Sequence, residues 1–212
     1  MSLDYDLVIM CLDEIEGQLL EIGKTKCNSL RDKTQLSAVV ILLFRASSLL
    51  RSLLGLLERG ELDSYDIVRR AFYEAWLLAF EFRLSDSKDR ALKWHEGASS
   101  SWSPDISKLQ SYSRSLGIES PGIGRDYGSL SEIAHPTKKA AGNSVKVTTA
   151  RHETCPDVTE AKGNFERTDV PAMLHGLVWV MEGRPGWISM GVSAKGIPNA
   201  LAYARMYAMR LG

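Results

Sequence analysis

The chain is short of cysteine and has no surplus of either charge. It has three cysteines in 212 residues, Cys11, Cys27 and Cys155. The number is odd and the spacings fit neither a disulfide framework nor a zinc knuckle. Lys+Arg and Asp+Glu both total 26, so the formal net charge is zero. Non-specific grip on nucleic acid needs excess positive charge, so only a local basic patch is left as a route to RNA. The chain contains no G-x-G-x-x-G, no Walker A loop, no G-x-S-x-G and no H-E-x-x-H, the signatures of dinucleotide, nucleotide-triphosphate, α/β-hydrolase and zinc-protease chemistry. His152 and Cys155 form an H-x-x-C, two ligand types where a structural zinc site needs four. No metal and no cofactor are expected. The N-terminal MSLDYDLVIM has acids where a signal peptide needs a basic start. With unpaired thiols, the expected compartment is a reducing cytoplasm.

What the chain does have is charge inside oil. Apolar residues make up 44% and charged residues 25%, ordinary for one globular domain, here 1–212. Residues 36–57 and 65–84 are almost unbroken apolar stretches. The first carries Arg45 and Arg51, the second Arg69, Arg70 and Glu74. The first is long enough to span a bilayer, yet two central arginines would each cost roughly 2.5–3.5 kcal/mol on an insertion scale. The reading is therefore a buried helix and no membrane. A charge leaving water must be paired or neutralised, so the pattern predicts a polar cluster inside a helical bundle.

Apolar periodicity predicts an all-α fold, a multi-helix bundle of seven or eight helices. The predicted helices cover 3–22, 32–59, 64–84, 88–99, about 104–117, 125–135, 169–182 and roughly 194–210. Gly60 is the expected C-terminal breaker of the second helix. Asp63 or Ser64 is the expected cap of the third, and Asp86 or Ser87 of the fourth. Pro104 opens the fifth and Thr168 or Asp169 caps the seventh, with Pro171 in its first turn. Residues 139–167, with Gly142, Pro156, Gly163 and the alternating run Val145 to Thr149, read as a long loop with room for a short β-hairpin. The third helix, apolar almost all round, is expected at the centre.

Two constellations follow from helical spacing. Arg70 and Glu74 are four apart and are helix neighbours; Arg69 points about a hundred degrees away, and Arg45 on the second helix adds a further cation. The set reads as an ion-pair lock for helix register, or as a pocket for a small anion. Tyr127, Ser131 and His135 also fall four apart, in one line flanked by Leu130 and Ala134. A hydroxyl beside an imidazole can orient its tautomer or serve acid–base work. The other reading of His135 is a core histidine partnered by Glu74. Candidate catalytic residues are thus His135, Glu74 and Arg70. Candidate ligand-binding residues are Arg45, Arg69, Tyr127 and Ser131. On the last helix, Ala202, Arg205, Met206, Met209 and Arg210 either cover the bundle or form a homodimer contact.

An arginine-bearing apolar helix, then R-R-A-F-Y-E-A-W, then Y-x-x-L-S-x-x-A-H-P, resembles a family of uncharacterised bacterial helical proteins over roughly residues 36–140. The resemblance implies an all-helical fold with Arg45, Arg70, Glu74 and His135 as the positions to watch, and it implies no reaction. Arg90-Ala-Leu-Lys-Trp-His95 is similar in spacing to the Arg-to-His signature of the HEPN-type helical ribonucleases of defence and toxin systems. The residue after Arg90 is Ala, where those enzymes usually place a polar one. A solvated helix face with His95 on its edge is the competing reading. The functional expectation is an interaction or binding module; the alternatives are a HEPN-like metal-independent ribonuclease acting on RNA and a binder of a small anion.

Overall fold

The computed structural model describes residues 3–27, 33–97, 102–115 and 156–211. Among them the fold is all-α, with no strand. The elements are α1 (Tyr5–Thr25), α2 (Gln35–Arg59), α3 (Leu62–Arg83), a 3-10 turn (Ser85–Ser87), α4 (Lys88–His95) and α5 (Ile106–Ser115). Then follow α6 (Pro156–Asn164), a π-helical turn (Phe165–Asp169), α7 (Val170–Glu182) and α8 (Pro198–Leu211).

α2 and α3 form the main helical hairpin, and their interface is the most extensive among the described helices. Gly60 ends α2 in the left-handed region at φ 71°. Its N–H reaches the Leu57 carbonyl at 3.1 Å and the Glu61 N–H reaches that of Leu56 at 2.9 Å. This paired arrangement satisfies carbonyls that the helix end orphans, and only glycine adopts that φ without strain. α1 lies against α2 on one side and α8 on the other, while α7 reaches α2, α3 and α8. The core runs through Ile15, Leu43, Leu50, Leu53, Phe72, Phe80, Leu174 and Leu177, all buried. Cys11 and Cys27 are buried, and burial pushes the Cys11 thiol up to about 11. α2 is long and apolar enough to cross a membrane, but half of that window is buried inside the fold.

Several boundaries differ from the sequence reading. α3 begins at Leu62 behind Glu61, with no side-chain cap, so Asp63 and Ser64 lie inside it. The break before α4 is the 3-10 turn; Ser87 holds the N-cap position of α4, as one of the two expected residues, but its side chain makes no cap hydrogen bond. Pro104 sits just outside α5; the cap is Asp105, whose Oδ1 accepts the Lys108 N–H at 3.0 Å. The largest correction concerns 139–167. Its last part is α6 and the start of the π turn, continuous with α7, so Asp169 has helical φ and ψ and caps nothing. Pro156 at the first helical position is compatible with a helix because its missing N–H is an orphan there anyway. The predicted helix at 125–135 and the alternating run at 145–149 lie outside the described residues.

Candidate functional site

The anticipated charges on α2 and α3 occupy several separate places. Arg70 Nε meets Glu74 Oε1 at 2.8 Å, as the four-residue spacing requires. That pair is not sealed: Arg70 is 13% exposed and Glu74 40%. Arg45 is solvent-exposed, a correction to its reading as a charge within oil. The helical register explains it, because Leu42, Leu43 and Ala46 take the buried face of that turn. Arg51 Nη2 is held by Asp13 at 2.7 Å and Glu16 at 2.9 Å, both on α1. Tyr127, Ser131 and His135 lie outside the described residues, as do His152 and Cys155.

Arg69 turns away from Arg70, towards the π turn. Its guanidinium meets Asp66 at 3.5 Å and Asp169 at 3.2 Å and lies 5.6 Å from the centre of the Phe165 ring. Burial works against the Arg69 charge; Asp169, Tyr73 and Asp66 more than offset it, and its pKa sits above the ordinary value. Burial raises the Asp66 carboxyl, with Arg69 opposing. Phe165 also stacks on Tyr65 at 4.5 Å, and Tyr5 Oη donates to Glu166 at 2.6 Å. The π turn therefore places three of its residues, Phe165, Glu166 and Asp169, against α1 and α3. π turns are frequent where side-chain placement matters.

The most deeply buried charges were not anticipated. Glu81 and Arg83, at the end of α3, are 0% and 1% exposed. Glu81 accepts hydrogen bonds from Arg90 Nη1 on α4 and, at 2.9 Å, from the Asp105 N–H that precedes α5. Burial raises the Glu81 carboxyl, with the Asp105 N–H and Arg90 opposing. Arg83 donates to the Ile188 carbonyl and lies over the Trp187 ring at 5.1 Å. Burial lowers its pKa to about 10, so it stays charged at neutral pH. Gly183, at φ 82°, comes so close to Arg83 that a Cβ there would lie 2.3 Å from Nη2. The sequence signal was the run Phe80-Glu81-Phe82-Arg83: four successive residues go once round a helix, and here all four are buried.

Arg90 and His95, the ribonuclease-like spacing, are both engaged. Arg90 binds Glu81 and, at 2.6 Å, the Ser103 carbonyl. His95 Nε2 lies 3.0 Å from Ser37 Oγ and 2.9 Å from the Thr34 carbonyl, where it ties α4 to the capped start of α2. Trp76, Phe80, Trp179 and Trp187 pack together, with Phe80 4.9 Å from Trp179 and Trp179 5.0 Å from Trp187, as a core cluster and not an exposed stacking platform. An open groove of about 510 Å³ on α2 and α3 is lined by Ser48, Arg51, Ser52, Gly55, Leu56, Arg59 and Val68. Both its arginines carry carboxylates, Arg51 as above and Arg59 with Glu61 at 2.8 Å. Among the described residues no group of three or more His, Cys, Asp or Glu side chains is placed to hold a metal ion.

Fold and site together define an all-α bundle whose helices are tied to one another by ion pairs. No family model, curated protein or solved structure matches the chain.

Proposed function

We propose that the protein is a non-catalytic interaction module in which the charges on the central helices fix helix register. The observation that carries this reading is the partnering of Arg51, Arg69, Arg70 and Arg90, each by a carboxylate of the chain itself. Three of the four join different elements: α2 to α1, α3 to the π turn, and α4 to α3. Ion pairs of this kind add little net stability, yet breaking one is costly, so they penalise alternative registers.

The two alternatives ask for charge to spare. A metal-independent ribonuclease would use a histidine as acid–base and an arginine against the charge of the phosphorane. Arg90 and His95 both have structural partners that compete with such roles. An anion binder would need an uncompensated guanidinium, and Arg70 has Glu74 beside it.

The test uses the purified full chain with a mixed RNA pool, comparing the wild type with His95→Ala and His135→Ala. The module reading expects no cleavage by any of the three, and a lower melting temperature for His95→Ala. Cleavage by the wild type that disappears in a folded histidine variant overturns the reading in favour of the ribonuclease. A rise in wild-type melting temperature with inorganic phosphate, following mass action, overturns it in favour of the anion binder.

A further inference from the structure

The seam between α1 and α8 supports a deeper statement of the module reading, on which it rests. Glu14 Oε2 accepts the Asn199 and Ala200 N–H groups at 2.9 and 3.0 Å. Further along α1, Gln18 lies against Gly196. The two helices therefore run antiparallel. Met10 stands one turn before Glu14, and Met206 two turns beyond Asn199, each on the face of its helix that leads to the seam. Neither is covered, and nor is Met209 near the end of α8: Met10 is 41% exposed, Met206 46% and Met209 75%. Ile9 and Leu20 on α1 are exposed as well. Exposed methionines on both helices beside one seam form the kind of soft, adaptable apolar surface that protein contacts use.

The charges around it say what fits. The outer side of α1 carries exposed Asp6, and the outer side of α8 carries exposed Arg205. A two-fold axis laid along the seam puts α1 of one copy against α8 of the other, and each contact then occurs twice. Asp6 lies about 12 Å before Glu14 along α1, and Arg205 about 9 Å beyond Asn199 along α8. The two are thus level within one helical turn and carry opposite charge.

We propose that the α1–α8 face is an isologous dimer interface for a second copy of this chain, centred on Met10, Met206 and Met209, with Asp6 of one copy opposed to Arg205 of the other. The experiment is sedimentation equilibrium on the full chain. The wild type is expected to dimerise, and Met209→Glu to be monomeric with an unchanged helical circular-dichroism spectrum. Asp6→Arg and Arg205→Asp should each weaken the dimer by about tenfold, and the double variant should recover to near the wild-type constant. A wild type still monomeric at about 100 μM, a dimer indifferent to Met209→Glu, or a double variant no better than the singles overturns the proposal. A monomer that cleaves no RNA removes the dimer alone; RNA cleavage lost in a histidine variant removes the module reading whatever the assembly state.

Discussion

The carboxylate of Glu81, wholly buried at the end of α3, accepts a hydrogen bond from the guanidinium of Arg90 on α4. The same carboxylate takes the Asp105 N–H at 2.9 Å, so one side chain joins α3, α4 and the start of α5.

Removing that carboxylate should therefore be felt across three helices. Glu81→Ala leaves the Asp105 N–H without its acceptor and the half-buried Arg90 without its counter-charge, and a loss of about 3 kcal/mol is expected. Burial holds the Glu81 pKa above the ordinary carboxylate value. Ionising it thus costs stability as pH rises through that window. Glu81→Gln keeps an acceptor without the charge and should cost about 1 kcal/mol. Urea unfolding at pH 7 checks both: the midpoints should fall in that order at constant m. Equal losses would mean that the charge itself, and not the acceptor, holds the helices.

Tyr65 gives the opposite prediction. It is wholly buried under Phe165, and its hydroxyl has no hydrogen-bond partner among the described residues. A buried hydroxyl without a partner is a cost. Tyr65→Phe should leave stability unchanged or raise it by up to about 1 kcal/mol, with Asp169→Ala, which leaves Arg69 only the more distant Asp66 at 3.5 Å, lowering it by about 2 kcal/mol. Thermal unfolding of the two variants decides. A clear loss in Tyr65→Phe would reveal a partner for the hydroxyl, such as an internal water.

The pH dependence near neutrality should trace to His175 on α7. Its ring lies 5.7 Å from that of Tyr207. Burial lowers its pKa below the ordinary 6.5, with Glu182 opposing and Arg184 adding to the fall. The unfolded chain then binds the proton more tightly than the folded one. Stability is therefore lost as pH drops from about 6.5 toward the lower folded value, and is retained above it. His175→Gln should flatten that part of the curve. Melting temperatures of the two proteins between pH 8 and 5 should draw together on acidification; parallel curves would rule the histidine out as the source.

The sequence by itself determined the all-α class, the Gly60 stop of α2 and the Arg70–Glu74 pair. These depend on local periodicity, on glycine's access to positive φ and on four-residue spacing, all of which are written in neighbouring residues. Tertiary structure alone decided which charges enter the core. Arg45 and Glu81 both sit among apolar neighbours in sequence, yet Arg45 faces solvent and Glu81 is enclosed. The difference lies in what packs beyond each helix: α4 and the α5 start close over Glu81 and bring Arg90 and the Asp105 N–H with them. The π turn was equally hidden, because Arg69, Tyr65 and Tyr5, which hold 165, 166 and 169, come from parts of the chain about a hundred residues or more away. A partner of that separation leaves no trace in the local pattern, so the sequence announces charge in an apolar helix while only the assembled fold supplies its counter-charge.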